Sequence, residues 1–401
     1  MAIGTRKPED GARVSALWLV LLAMSSSRCD AARNLAPGPN SQPESPSCRL
    51  VKDGYGPSGT VPVRAEVVVT GLEVPWGIAF LSSREMLVTE RPGRVRIVRD
   101  GVLAEAPVAI VPVHRTSEAG LLGIAVHPGF GENRFFYLYL TVDGPSGPEN
   151  RVERWTLAPD GASAQRDRSI IERIPSAEYH DGGRLRFGPD GMLYVGTGDA
   201  RDPDRAQDKA SLAGKILRLL PDGGVPADNP VFGNPAFIFG IRNTQGFDWT
   251  EGGTLVVTDH GPSGELLRRG HDEVNVGAPG ANLGWPTIYA CGAQSGMSSP
   301  SLTWESAVPP GGAAIYRGQA IAEWRNNLLI GTLESKHLHR VVLDESNPSK
   351  VTAHEVYFAG VHGRLRDVIM GLDGELYVTT SNCDGRGECP KNKDVILRVT
   401  R

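Results

Sequence analysis

The sequence predicts an all-β fold, a six-bladed β-propeller of four-stranded antiparallel blades, on three observations. A strand, turn, strand pattern recurs six times. The copies are spaced by roughly 55 residues, room for four short strands and their turns. Glycine and proline number 49 and 30 among 401 residues while aromatics are 6%, as in a chain that turns often. An eight-stranded barrel or a sandwich is disfavoured, because this repeat is too long and too regular for either.

In chain order, residues 1–30 read as a targeting segment. Arg6, Lys7 and Arg13 precede an apolar run from Val14 to Met24, and Ser25, Ser26 and Ser27 follow, the layout of a secretory signal. The run is too short to span a bilayer. Cys29 makes a lipoprotein signal the alternative, although Arg28 is bulky and charged where a small residue is expected. The reading is therefore an exported chain, periplasmic or extracellular, with Cys29 the point of any lipid anchor. Residues 31–60 are rich in Pro, Ser, Gly and Asn without periodicity, so a linker is expected there. Residues 61–401 remain for the catalytic propeller.

The six copies are "WGIAFLSSREMLVTERPGRVRIV" from Trp76, "LLGIAVHPGFGENRFFYLYLTVD" from Leu121, "RLRFGPDGMLYVGTGD" from Arg184, "GFDWTEGGTLVVTDHG" from Gly246, a weaker "AIAEWRNNLLIGTLESKHLHRVVLD" from Ala320 and "RDVIMGLDGELYVTTSN" from Arg366. In each, an apolar strand meets a polar turn and a second apolar strand. The terminal stretches "VPVRAEVVVTGL" and "DVILRVTR" are expected to share the closing blade, which hides strand edges. A net charge of -4 and a pI near 6.2 give no reason to expect nucleic acid or an anionic membrane as partner.

Export gives the cysteines an oxidising compartment. Setting Cys29 aside, Cys48, Cys291, Cys383 and Cys389 are even in number. "CDGRGEC" fits a local loop clip, which would leave Cys48 for Cys291. Four cysteines nevertheless allow three pairings, and sequence does not choose among them.

Chemistry is expected on one face, where the loops following the inner strands converge. His180 precedes a predicted strand and Asp199 follows the next, so an antiparallel hairpin puts both at one end. A carboxylate on one imidazole nitrogen fixes the tautomer and makes the other nitrogen more basic, the arrangement of a general base. "FGIRNTQGFDW" places Arg242, Asn243 and Gln245 in a loop. "VVTDHGPSGE" puts Gly261 and Pro262 in a tight turn able to present carbonyl oxygens, which suit calcium. Arg364 and Arg366 are two apart, hence on one strand face. Two guanidiniums there repel unless an anion lies between them, and arginine binds planar carboxylates with two hydrogen bonds. The alternatives are solvated charges, or ion pairs with Asp367 and its neighbours. Arginines, a base and a cation loop from different blades point to a polyanionic cofactor on the axis.

These stretches, together with "VPWGIAF", "GLLGIAVHP", "AQDKASLAGKILRL" and "HDEVNVGAPGANLGWP", resemble in order the motifs of the pyrroloquinoline quinone (PQQ)-dependent soluble glucose and aldose sugar dehydrogenases, from about residue 67 onward. The resemblance implies an oxidoreductase that removes hydride from C1 of an aldose sugar and gives a lactone, with an external electron acceptor. It implies PQQ and Ca2+ as cofactors. His180 would be the base and Asp199 its orienting residue. Arg242 and Asn243 would contact the quinone, Arg242 also stabilising developing negative charge. Gly261 and Pro262 would hold calcium, and Arg364 and Arg366 would clamp the cofactor's carboxylates.

Two positions depart from the family's pattern. Where the glucose-oxidising branch has a lysine against the cofactor, this chain has Glu334 in "GTLESK". A carboxylate about 4 Å from a carboxylated cofactor costs on the order of 4 kcal/mol at an effective dielectric of about 20. Lys336, two residues on and so on the same strand face, is the expected substitute. Glu118 in "SEAGLLG" stands where members often carry glutamine. Glu334 in particular keeps open a cofactor-free propeller that binds carbohydrate or protein. A metal-dependent lactone hydrolase is the third reading, but it needs converging acidic or amide ligands where this chain has arginines and a histidine.

Blander readings go to the remaining motifs. "HDEVN", from His271, is expected to be a loop with ion pairs. Asn282 and Trp285 are expected to stabilise a turn and fill core, with Gln207 and Asp208 structural and Trp76 in the core. His337, His339 and His362 are expected to be surface or satisfied histidines.

Overall fold

A computed structural model describes residues 42–401. The expected signal segment and Cys29 lie outside the described residues. Six antiparallel sheets form a ring, a six-bladed β-propeller. Their first, innermost strands are Pro75–Phe80, Leu121–Val126, Leu185–Phe187, Gly246–Trp249, Pro310–Ile315 and Leu365–Met370, and neighbouring first strands pack on one another around the axis. Blade 6 closes the ring: Arg64–Leu72 pairs with Asp394–Thr400, as the terminal stretches predicted.

Alternation along the strands decides where the core lies. Side chains facing out of each pleat meet those of the next blade, so six buried apolar clusters sit one per blade interface. Trp76, 2% exposed, belongs to the cluster between blades 1, 2 and 3.

Two expectations about elements change. The first strand of blade 5 is Pro310–Ile315, upstream of the copy expected from Ala320, where Ala322–Trp324 forms a 3-10 turn. Its glycines hide the strand pattern yet are needed: a Cβ on Gly311 would lie 2.3 Å from the Arg366 carbonyl oxygen of blade 6. The second change concerns residues 42–60, the described part of the expected linker. Arg49–Val51 adds a parallel fifth strand to blade 4, beside Leu302–Trp304. Cys48 is bonded to Cys291, and Ser58 bridges to Val356. Low periodicity concealed this because the segment is pinned by backbone pairing and a disulfide rather than by an apolar face.

Cys383–Cys389 is the second disulfide. Among the described residues no helix is long and apolar enough to cross a membrane.

Candidate active site

The loops that precede the inner strands and those that follow the second strands gather at one end of the axis. The expectation named the loops following the inner strands; in an antiparallel hairpin those lie at the opposite end. The site end opens into a cavity of about 510 Å³.

His180 and Asp199 meet there. His180 Nδ1 lies 2.7 Å from Asp199 Oδ1, and the pairing of Leu185 with Val195 in the hairpin between them sets that approach. Asp199 is fully buried and its acceptor sites are filled: Oδ1 also takes the Arg201 backbone N–H at 2.8 Å, and Oδ2 takes Trp285 Nε1–H at 2.8 Å. A carboxylate so held keeps the imidazole proton on Nδ1 and leaves Nε2 as the free lone pair. Gly198 makes the approach possible, since a Cβ there would stand 2.0 Å from the His180 carbonyl oxygen.

Arg242 sits on the far side of the base. Its Nη2 donates to Glu265 Oε1 at 2.7 Å, and Glu265 Oε1 is also 3.7 Å from His180 Nε2. The Arg242 side chain is 3% exposed and its Nε has no partner among the described residues, an orphaned donor in the cavity wall. Asn243 Oδ1 accepts the Gly182 N–H at 3.0 Å. The backbone N–H groups of Arg242 and Asn243 both donate to Asp259, at 2.8 and 2.7 Å. Burial pushes the Asp259 carboxyl up to about 7 against those two bonds.

Gly261 and Pro262 line the cavity; among the described residues no hydrogen bond is donated to the Gly261 carbonyl, while Pro262 adjoins a bridge between Ser263 and Arg269. Asp272 fixes this loop by accepting the N–H groups of Gly261 at 2.9 Å and Val308 at 2.6 Å; it holds backbone rather than the ion pairs expected of "HDEVN". His260 Nε2 meets the Pro310 carbonyl at 2.7 Å, and burial takes its pKa down to about 3, so it stands neutral. No group of three or more His, Cys, Asp or Glu side chains among the described residues is arranged to hold a metal.

Arg364 lines the cavity, and Arg366 lies in the recess beneath it. The anion between them is a protein one: Asp384 Oδ2 lies 2.9 Å from Arg364 Nη2 and 3.5 Å from Arg366 Nη2. Asp367, the expected partner, is taken by Arg184 at 2.8 Å and by the Ile78 N–H at 2.9 Å. That buried cross-blade knot, with Arg184 4.6 Å from the Trp76 ring, lies on the axis among the inner strands. Arg366 Nη1 also donates to Gln245 Oε1 at 2.5 Å, and its Nε is unpartnered among the described residues.

Glu334 and Lys336 fall otherwise than expected. Residues 333–337 form a turn, not a strand, so two-residue spacing does not put side chains on one face. Glu334 reaches the cavity, while Lys336 is exposed, in a left-handed conformation with φ 53°, and is not among the cavity's lining residues. The Glu334 side chain is 71% exposed and 3.7 Å from Arg364 Nη1; solvent and that partner screen its charge.

Sequence reasoning missed several participants. Glu265 ends the stretch "VVTDHGPSGE" and Asp384 lies within "CDGRGEC", but nothing in either spacing aims the carboxylate at an arginine of another segment. Trp285, read as core, is the third hydrogen-bond donor to Asp199; its neighbour Asn282 pairs with Gln207, at 2.8 and 3.0 Å.

Fold and site together define a propeller enzyme with a histidine–aspartate base and an arginine-walled axial cavity. The sequence model of the Glucose / Sorbosone dehydrogenase family matches residues 72–397, and the chain belongs to that family. It is 32% identical to the aldose sugar dehydrogenase YliI of Escherichia coli (strain K12) over 80% of this chain and 91% of that one. Among solved structures it is similar to the PQQ-bound aldose sugar dehydrogenase of Streptomyces coelicolor, 32% identical with TM-score 0.76, covering 85% of this chain and 99% of that one. A putative oxidoreductase (glucose dehydrogenase) of Thermus thermophilus is 42% identical, TM-score 0.77, over 84% of this chain and 100% of that one.

Proposed function

We propose that the protein oxidises the C1 hydroxyl of aldose sugars to lactones, using PQQ and calcium held in the axial cavity. The observation that carries this is His180, fixed by buried Asp199, with Nε2 turned to a cavity walled by arginines. The residues present fit such a cofactor: the Nε atoms of Arg242 and Arg366 are buried donors without partners among the described residues, suited to a carboxylated planar ligand. The Gly261 carbonyl, without a donor among the described residues, and the neighbouring Pro262 carbonyl suit a hard cation.

On this reading Arg364 and Arg366 hold carboxylates, which requires Asp384 to share or release them, Arg242 and Asn243 line the reacting end, and Gly261 and Pro262 hold calcium. When bound, the quinone supplies the hydride acceptor and calcium a Lewis acid for it. His180 Nε2 takes the proton of the anomeric hydroxyl, and Asp199 stabilises the imidazolium that results. Arg242 supports negative charge where it develops, which requires Glu265 to release it. An external electron acceptor would be needed to complete the cycle. Export fits the two disulfides, which an oxidising compartment would preserve.

Absorbance titration of the protein with PQQ and calcium, followed by an aldose and an artificial acceptor, tests this. Stoichiometric binding and bleaching by sugar are expected, with His180→Ala binding but not turning over. Failure to bind with calcium in excess sinks the reading.

A further inference from the structure

Glu118, the second departure from the family's pattern, is tied to the base by its backbone. Its Oε2 accepts the His180 N–H at 3.1 Å, and its own N–H donates to the Glu178 carbonyl at 3.3 Å, so it grips the chain on both sides of Tyr179. The grip matters because His180 has φ 70°, a conformation a non-glycine residue keeps only where its surroundings enforce it. The same Oε2 is 3.5 Å from Asn243 Nδ2.

The Glu118 side chain is 17% exposed, and the one hydrogen-bonded cation at it among the described residues is Arg386, with Nη1 3.3 Å from Oε1. Arg386 also reaches Ser117 Oγ at 3.2 Å and lies 5.4 Å from the Tyr179 ring. The other charged or titratable groups that act on Glu118 are Arg91, Arg366, Asp181, His260 and the His180 ring. Arg386 belongs to the loop closed by Cys383–Cys389, which is otherwise fixed by its N–H to Asp384 Oδ1 at 2.9 Å and by the Asp384 bonds to Arg364.

We propose that Arg386 and Glu118 are a positioning pair for His180, and that the Cys383–Cys389 clip delivers Arg386 to that pair across the cavity mouth. The inference rests on His180 being the base. A largely desolvated carboxylate without its cation is drawn out of its site towards solvent, and the His180 backbone then loses its acceptor. Glutamine at 118 would need no cation, because a neutral amide oxygen accepts the same N–H. The acid at 118 and the clipped arginine therefore belong together, one blade supplying each.

Amide hydrogen exchange of the peptide containing His180, read by mass spectrometry, tests this with or without turnover. Arg386→Ala and the Cys383→Ser/Cys389→Ser double variant should each exchange on the order of tenfold faster there than wild type. Adding Glu118→Gln to Arg386→Ala should restore slow exchange. With cofactor loaded, kcat of Arg386→Ala should fall on the order of tenfold with KM within about twofold, and Glu118→Gln should rescue it. Wild-type exchange in Arg386→Ala, or no rescue, overturns the pair. Fast exchange in Arg386→Ala with none in the cysteine variant overturns the role of the clip. If every protein, wild type included, fails to oxidise sugar, the sugar-oxidation reading falls, and exchange still decides the pair.

Discussion

Blades 3 and 5 each bury histidines at the cavity end, and their partners make them opposites. In blade 3, His180 has a carboxylate on Nδ1 and an open Nε2. In blade 5 three imidazoles run in series: His337 Nδ1 meets the Ser335 carbonyl at 3.1 Å, His337 Nε2 meets His339 Nδ1 at 3.0 Å, and His339 Nε2 meets His354 Nδ1 at 3.3 Å. A carbonyl only accepts, so His337 carries its proton on Nδ1, and each next ring must donate from Nδ1 in turn. Among the described residues no carboxylate is hydrogen-bonded into this row of rings. Burial takes His337 and His354 down to about 4 and holds His339 well below its ordinary value. A carboxylate lets an imidazole accept a proton during a reaction; a row of imidazoles makes every member stay neutral.

The largest test exchanges the partner. Asp199→Asn replaces an acceptor with an amide that can donate to Nδ1, moving the imidazole proton to Nε2 and removing the lone pair that faces the cavity. Turnover should drop about 10²- to 10⁴-fold with quinone affinity nearly unchanged. Steady-state kinetics beside the absorbance titration would read both. Turnover within about threefold of wild type would mean that His180 is no more a base than His339 is.

How much of this contrast was legible before the structure follows from the range of each contact. His180 and Asp199 bracket one hairpin, so strand alternation alone brought them together. Likewise the two terminal strands were readable as one blade, because each is a clean apolar run. Blade 5 was opaque for local reasons: Gly311 and Gly312 erase the pattern of its first strand, and the turn at residues 333–337 breaks the spacing that would have aimed Lys336. His337, His339 and His354 were unreadable as a chain, since His354 comes from the next strand over. Glu118 and Arg386 are 268 residues apart and meet only because the ring closes. Backbone pairing survives in a sequence even where it closes the ring; a side-chain contact made by closure, such as that of Glu118 with Arg386, does not.

A second test concerns acid stability. The blade 5 histidines have folded values below the ordinary 6.5, so the unfolded chain takes up protons that the folded chain refuses as pH falls from about 6.5 to about 4. Their support is complete above that window and is lost on descending through it. Asp181 and Asp259, raised by burial to about 6 and about 7, act in the opposite sense, so the informative quantity is a difference between variants. His354→Gln keeps a donor towards His339 and removes one titrating ring. Guanidinium unfolding at pH 7 and pH 4.5 should show the wild-type loss shrinking by up to about 2 kcal/mol in the variant. An unchanged loss would mean that blade 5 does not hold its imidazoles neutral.

The smallest effect should come from the indole on Asp199. Trp285 Nε1–H fills Oδ2 at 2.8 Å, so the carboxylate has one bond for the imidazole and one that keeps it from rotating. Trp285→Phe leaves most of the buried ring and deletes that donor, exposing one oxygen to an unmet demand worth roughly 1 kcal/mol. With Oδ1 still bound by His180 and the Arg201 N–H, the dyad persists, and kcat should fall about 3- to 10-fold without a change in the pH at which turnover is half-maximal. If that midpoint moves instead, the indole tunes the charge that Asp199 offers rather than its orientation, and blade 3 would differ from blade 5 by the strength of its carboxylate as well as by having one.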